Sequence, residues 1–540
     1  MADAVGARHL ARLSCEATAE ESILLRLRED SLSFLSMFRE KNGRNPRVAH
    51  LGNIANNAYH SAKMMRAIGI DCDVIALHDY FVMSSPEWEE AEVREVPPDL
   101  FTPEWHSINL GGYQRPRWFV QGPVDLCLDY VAARNRGDEK IADSLWNRLS
   151  VENRTRKRIV GRKPFNFELQ VARLLSRFSS VGRRVWNRGR TYLRQSLSPP
   201  EYWTRLESAW KREFPDRVDH LRKSDVMWGA HYLERWGEAL KTYDFVIGYS
   251  TYGLFPLLCN VPYLCFEHGT LRDIPFEENA QGRSTALSYR LAEHTFVTNF
   301  DCVPNAELLC QGRFTFINHP YLQDHGQPAG GVTALRDELR TALDAEFLIF
   351  FPTRHDWVPG YGYADKGNDT LLRAVGRMAD AGHRLGLVLC AWGQNVSQSR
   401  ALIAELGLTE RVRWIPPASA IIYNRYCQAC DLVADQFKLG AFGGVLYKAL
   451  CNRKPVLSYL NESLMARVYS KMPPILNGRT TDELEALLAY ALANPESMAA
   501  LGHAGRQWVD QHHDGVETLD RILRAFGATW QERQRRAAST

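Results

Sequence analysis

DLVADQFKLGAFGGVLYKAL (431–450) carries a strand, a turn and a helix in one short stretch, and its reading decides the fold. Residues 431–437 form an apolar run of strand length. Gly440 to Gly444 make a turn into a helix over 444–452, and PVLSYL (455–460) is the next strand. Working outward, the same unit recurs. FLIFFPTR (347–354) is a strand leading to a helix at 368–381, with Leu371, Val375 and Met378 on one face. LGLVLCAWG (385–393), a helix at 397–406, VRWIP (412–416) and a helix at 419–430 fill the interval. Downstream, Thr480 and Glu483 form a capping box for a helix at 481–492.

An earlier block has the same rhythm. Residues 18–41 are a helical lead-in, and RVAHLGN (47–53) is a buried strand and turn. Asn56 is placed to cap a helix on which Ala58, Ala62 and Met65 recur, and Gly69 ends it before CDVIALH (72–78). The pattern lapses between about 80 and 225. It resumes with YDFVIGYS (243–250), PYLCFEHG (262–269), a helix at 284–293, HTFVTNF (294–300) and RFTFINHP (313–320). The Gly-rich polar stretch at 321–335 is the expected interdomain linker. Alternating strands and helices in two blocks predict two doubly wound parallel sheets, with ligands in the crevice at the C-terminal strand ends.

Composition excludes several alternatives. The chain has 540 residues, 45% of them hydrophobic, so two or more cores can form without metal or disulfide support. A net charge of +3 gives the whole molecule no strong attraction for nucleic acid. The 11 cysteines are scattered and odd in number, which fits reduced thiols; the lone CxxC, Cys427 and Cys430, has no second pair to complete a zinc site. No run of about 18 apolar residues occurs, and residues 1–21 lack the apolar centre of a secretory signal. The expected location is therefore the cytoplasm.

The strongest chemical constellation lies in the second block. Arg354 ends its first strand, and Lys366-Gly367 precedes its first helix. A guanidinium and an ammonium at a helix N-terminus make a site for a diphosphate and stabilise charge as a phosphate departs. The glycines of GAFGG (440–444) let backbone N–H groups approach a ligand closely. The competing readings are two solvated cations and an ordinary αβ turn.

The order TR…DKGNDTLL, LVLCAWG, ELGLTERVRWIP, DLVADQFKLGAFGGVLYKAL and NRKPVL resembles the C-terminal domain of GT4-type retaining glycosyltransferases, over roughly residues 345–515. The similarity is looser over 47–80 and 243–320. It implies a GT-B architecture: an α/β fold of two Rossmann-like doubly wound parallel-sheet domains facing a central cleft. It also implies a nucleotide-diphosphate sugar as co-substrate, no cofactor and no essential metal. Arg354 and Lys366 then hold the donor phosphates, and Gly440, Phe442, Gly443, Gly444 and Lys448 lie beside the donor. The chain departs from the family at its paired glutamates, seven apart, which fall here on Ala441 and Lys448. A lysine donates where a carboxylate accepts. Lys448 then meets a phosphate, meets an acid-bearing donor sugar, or is a helix-surface lysine of a decayed site.

In the first block, FEHGTLR (266–272) puts His268 at a strand's C-terminal end. The resemblance sets it near the histidine that faces the transferred sugar, where an imidazole orients an acceptor hydroxyl; a satisfied core histidine is the other reading. Glu267 and Arg272 are its neighbours. Gly52, Asn53, Asn56 and Asn57 form the first strand–helix loop, which faces the cleft in this fold, although turns need Gly and Asn anyway.

From Arg154 to Arg194 there are 13 Lys/Arg and one acid, Glu168, with Phe167, Val171, Leu174, Phe178, Val181 and Val185 at helical steps. A basic helix with an apolar face fits an anionic membrane surface, at roughly 1 kcal/mol per cation; packing on the sheet with wet arginines is the alternative. The last helix, 515–536, is expected to cross back to the first domain and to fray at its basic end.

The expected organisation is a helical lead-in (1–45) and a Rossmann-like acceptor domain (46–325) with a basic helical insertion (about 147–225). A nucleotide-sugar domain (336–515) and a crossing helix and tail (516–540) complete it. The expected function is sugar transfer to a saccharide or lipid-linked saccharide acceptor, on the inner face of the cell membrane, with no nucleic-acid partner. A binding or scaffold subunit that no longer catalyses and a sugar-nucleotide epimerase are the rivals.

Overall fold

The computed structural model describes residues 20–155, 201–226, 232–320, 326–358 and 365–539. The basic stretch at 154–194 thus lies outside the described residues, apart from the end of the Glu139–Thr155 helix.

Two parallel sheets carry the chain. The first has β1 (Arg47–Leu51), β2 (Asp71–Leu77), β3 (Phe119–Gln121), β4 (Phe245–Tyr249), β5 (Leu264–Phe266), β6 (His294–Val297) and β7 (Phe314–Phe316), in the spatial order β3-β2-β1-β4-β5-β6-β7. The second has β8 (Phe347–Phe351), β9 (Leu385–Cys390), β10 (Val412–Ile415), β11 (Leu432–Ala434), β12 (Val456–Ser458) and β13 (Leu476–Asn477), in the order β10-β9-β8-β11-β12-β13. Each strand pair is parallel. Each order reverses once, between β1 and β4 and between β8 and β11. Loops leaving neighbouring strands there diverge to opposite faces and open a crevice. This pair of facing sheets is a GT-B architecture.

The strands are apolar on both faces because helices cover both. Val48, Val74, Ile247 and Phe266 pack on one side of the first sheet, and Ala49, Ile75, Val246 and Cys265 on the other. Phe350, Val388 and Val433 against Ile349, Leu387 and Leu432 do the same in the second. The ten cysteines among the described residues are free thiols, and Cys427 and Cys430 are fully buried in the second core. No described helix is long and apolar enough to cross a membrane.

Several sequence expectations change. β3 lies inside the stretch read as lacking βα rhythm, because Pro, Gly and Arg flank its short apolar run in QRPRWFVQGP (114–123). Asn56 precedes the Asn57–Arg66 helix but does not cap it; its amide donates to the Ser85 carbonyl at 3.0 Å instead. The linker is shorter than 321–335, since Val332–Ala342 is a helix that buries Leu335 and Leu339. The terminal helix runs to Ser539 rather than fraying, because the first domain grips it. Phe526 stacks on Phe245 with ring centroids 4.2 Å apart, Ser31 Oγ donates to Asp520 Oδ1 at 2.8 Å, and Arg533 pairs with Glu293. The stacked pair contributes about 1 kcal/mol beyond its buried area.

The two crossings between the domains are pinned together. The Asn318 amide donates to the His512 carbonyl at 2.6 Å, and the Tyr469 hydroxyl donates to Asn318 Oδ1 at 2.7 Å.

Candidate functional site

The strand ends of both sheets border one cleft of about 310 Å³, lined by Ala55, Met83, Trp88, Glu89, His268, Arg272 and His319 from the first domain and Lys366, Gln436, Phe442, Gly443, Gly444 and Lys448 from the second. Ala55, Gln436 and Gly443 come from loops at the two points where strand order reverses, and His268 and His319 reach the cleft from the ends of β5 and β7.

On the second domain's wall, the chain after β8 returns as Lys366, whose N–H donates to the Asp356 carbonyl at 2.7 Å. Gly367 takes φ +66 as the N-cap of the Asn368–Asp380 helix, a conformation that suits glycine. The Lys366 ammonium donates to Gln436 Oε1 at 3.0 Å, and Gln436 Nε2 donates to the Ala441 carbonyl at 2.8 Å. One amide side chain therefore ties the lysine to the glycine turn. Burial pushes the Lys366 ammonium down to about 8; the Arg354 guanidinium adds to that, Asp435 opposes it and Arg272 adds again. Two guanidinia, one from each domain, thus act on one ammonium, with Asp435 and Asp356 opposing them. Arg354 itself does not line the cleft: its side chain is 46% exposed and stands 3.5 Å from Asp356 Oδ2.

Gly443 begins the Gly444–Cys451 helix, and a Cβ there would stand 3.2 Å from Asp435 Oδ2. Gly440 has φ +72, and a Cβ would sit 2.7 Å from the Tyr459 ring, so this glycine shapes the turn. It is not a lining residue, whereas Phe442, Gly443 and Gly444 are. Phe442 stacks on His513 at 5.0 Å.

On the first domain's wall, Asn57 Nδ2 and His268 Nδ1 lie 2.7 Å apart. With the amide donating, the neutral ring carries its proton on Nε2. Burial lowers the His268 imidazole to about 4, and Arg272 lowers it further in the same direction. His319 packs edge-on against it at 5.7 Å and is held well below its ordinary value, by burial first and then by His268, His513 and Arg272. Arg272 is clamped by Asp301 at 2.6 and 3.1 Å.

The other first-domain candidates do scaffolding work. Glu267 is fully buried and accepts from the Gly269, Thr298 and Asn299 N–H groups, which fixes the loop carrying His268. Gly52 has φ +82, and a Cβ would overlap the Tyr252 ring. Asn53 donates to Asn56 Oδ1 and to the Ser84 carbonyl, while Asn56 reaches Ser85. Together they hold the loop so that Ala55, at φ 47, faces the cleft.

Lys448 does not stand on an open helix surface. Its ammonium lies 3.3 Å from Glu89 Oε2, across the cleft, and 5.9 Å from the Tyr423 ring centroid. Both partners of this pair are mostly buried, at 15% and 11% exposure. Sequence reading missed Glu89, Gln436, Asp435, Ala55 and His319. Asp435 and Gln436 directly follow β11 at the reversal point, a position that could have flagged them. Glu89 sits in the irregular 80–118 segment and carries no such signal.

A cleft with paired cations, two helix starts and neutral imidazoles can hold a dianion on one wall and hydroxyl groups on the other. Among the described residues, no cluster of three or more His, Cys, Asp or Glu is arranged to hold a metal ion.

No protein-family model matches the chain, and no curated protein matches it. Solved structures similar to it include a Rickettsia africae glycosyltransferase, at 11% identity over 90% of this chain and 98% of that one, with a TM-score of 0.48. Anabaena HepE in complex with UDP and glucose is similar at 16% identity over 56% of this chain and 81% of that one, TM-score 0.46. A sucrose-phosphate synthase from Thermosynechococcus elongatus is similar at 16% identity, with 59% and 81% of the two chains covered and a TM-score of 0.43. With every TM-score below 0.5, the architecture rests on the strand orders given above.

Proposed function

We propose that the chain is a glycosyltransferase that moves a sugar from a nucleotide-diphosphate donor to a sugar-containing acceptor. The observation that carries this reading is geometric: Lys366 stands at a helix start on the cleft wall with its ammonium 3.0 Å from Gln436 Oε1, and Arg272 lines the same cleft from the first domain. Concentrated positive charge is uphill in an empty cleft and favourable once a diphosphate enters. It also stabilises the charge that builds on that diphosphate as the sugar leaves. Arg354, Lys366 and the Asn368–Asp380 helix start serve the phosphates, with Phe442, Gly443 and Gly444 beside the donor. The acceptor hydroxyl enters from the His268 side, where a neutral imidazole held by Asn57 orients it. Retention of configuration, independence of metal and GT4-type character follow from the family resemblance and belong to the same proposal. So does assembly of a cell-surface polysaccharide on the inner membrane face, with residues 154–194 meeting anionic lipid.

The test is transfer or hydrolysis of pooled sugar nucleotides by the wild type, Arg354→Ala and Lys366→Ala. Turnover lost in folded variants supports the reading; a wild type that neither turns over nor binds any sugar nucleotide refutes it. The scaffold reading has one observation in its favour, the Glu89–Lys448 pair bridging the two walls. Nucleotide-sugar binding without turnover would select it. For the membrane step, flotation with anionic liposomes is decisive: absence of salt-sensitive binding removes it.

A further inference from the structure

A second cavity of about 320 Å³ opens in the first domain, away from the three cations. The one-turn Pro86–Glu90 helix stands between the two spaces: Trp88 and Glu89 line the cleft, and Glu87 lines the cavity. Tyr80, just past β2, and Gln121, the last residue of β3, place the cavity at the C-terminal edge of the first sheet. Cleft and cavity are therefore neighbours on the same rim of the fold.

The cavity has the chemistry of a pyranose site. Tyr80, Trp105 and Trp146 supply aromatic surface from three separate segments, with the buried Phe119 behind them. Flat aromatic faces suit the C–H faces of a sugar ring, and fixed polar groups suit its hydroxyl rim. Asn153 is such a group: its Nδ2 donates to the Gln121 carbonyl at 2.8 Å, and its Oδ1 accepts from the Tyr80 hydroxyl at 3.2 Å. Behind them Arg115 grips Glu87 through two bonds of 2.8 and 3.0 Å, so its charge is neutralised within the wall. Glu104 also lines the space. Among the described lining residues, the two carboxylates balance Arg115 and Arg154, whereas the cleft is lined by Arg272, Lys366 and Lys448 against Glu89. The Trp105 indole N–H is shielded and lacks an acceptor. That state costs about 1–3 kcal/mol, which a small ring rotation toward a ligand hydroxyl relieves. The volume lies at the lower end of small-molecule sites, of roughly 300–1,000 Å³, and accommodates one sugar residue.

We propose that this cavity binds a single sugar residue of a neutral saccharide. On the reading of the cleft given above, that residue is a distal unit of an extended acceptor whose reacting end lies in the cleft.

The experiment titrates the full chain with disaccharides of neutral hexoses and of N-acetylhexosamines, followed by tryptophan fluorescence and saturation-transfer NMR. At least one disaccharide binds, and Trp105→Ala weakens it by about tenfold, the free energy of one aromatic contact. Asn153→Ala, which keeps every aromatic wall, weakens it as well and covers the case in which Trp105→Ala fails to fold. Lys366→Ala leaves it unchanged. Failure of every disaccharide to bind overturns the proposal, as does binding indifferent to Trp105→Ala and Asn153→Ala, or abolished by Lys366→Ala. The glycosyltransferase reading fails separately: cavity binding would persist while the wild type turns over no sugar nucleotide.

Discussion

The two walls of the cleft are built from the same βα unit but differ in charge. The first domain presents His268 and His319, imidazoles that burial keeps neutral. The second presents Lys366, which burial lowers only to about 8, so at neutral pH it still carries its proton. The difference comes from starting points. Imidazole begins near 6.5 and any desolvation removes its charge at neutral pH, whereas an ammonium near 10.4 has room to fall. Comparable desolvation thus leaves neutral imidazoles on one wall and a charged ammonium on the other. Two features cut across this division: Arg272 puts a cation on the first wall, and the Glu89–Lys448 pair sets an acid on the first wall against a base on the second.

The sharpest way to break the contrast is to discharge the second wall. Lys366→Ala or Arg354→Ala should lower kcat/KM by about 10²–10³, the scale of losing one charge-stabilising group in a transition state. A steady-state assay on the active sugar nucleotide measures it. Removing the imidazole from the first wall costs less: His268→Ala should lower kcat by about 10–10². The pH profile tells the walls apart. Lys366 loses its proton above about 8, so donor affinity should fall on that side, and Lys366→Arg should shift the limb to higher pH. No limb is expected from His268 between pH 6 and 7.5, because its own proton leaves near 4.

Stability should show the same asymmetry with a smaller effect. His50 and His513, each lowered to about 3, and His268, lowered to about 4, stay neutral in the fold while the unfolded chain protonates near 6.5. The unfolded state then binds more protons below that pH, so stability is full above 6.5 and falls as pH drops toward 4. Thermal melts at pH 7 and 5 should differ by several degrees. Lys366 adds the opposite edge: its depressed value means that stability rises between about 8 and its unfolded value. The smallest effect concerns the crossing pair. Glu89→Gln should cost about 1–2 kcal/mol, since Lys448 is left partly buried without its counter-charge. A double-mutant cycle with Lys448→Met should return most of that as coupling; additive effects would mean that the two domains are not joined there.

The legible parts of the molecule were those with a local cause. β1, β2, β8 and β9 announce themselves as apolar runs, Gly69 and the Thr480–Glu483 box mark helix ends, and each appears in the structure. His268 and the 443–444 glycines line the cleft because a strand end followed by a turn is a fixed address in a doubly wound sheet, and Lys366 lines it because it precedes the Asn368–Asp380 helix. β3 and β13 are short and set among Pro, Gly and basic neighbours, QRPRWFVQGP (114–123) and KMPPILNGR (471–479), which interrupt the apolar run. Asn56 was read as a cap from its residue type, but an amide bonds whichever carbonyl the tertiary fold brings near, here Ser85. Glu89 and the aromatic cavity beside it lie in a segment without periodicity, where no local rule assigns a side chain to a face.

By itself the sequence determined two parallel α/β domains, their strand–helix rhythm and the loops that border the cleft. Hydrophobic periodicity and turn chemistry act between residues a few positions apart, so they are fully present in the one-dimensional string. Only the tertiary structure decided that Lys448 meets Glu89, that Gln436 ties Lys366 to the glycine turn, and that the imidazoles stay neutral while the lysine keeps its charge. Ion pairing and desolvation depend on distance and burial among groups tens to hundreds of residues apart, and those quantities exist only once the chain is packed.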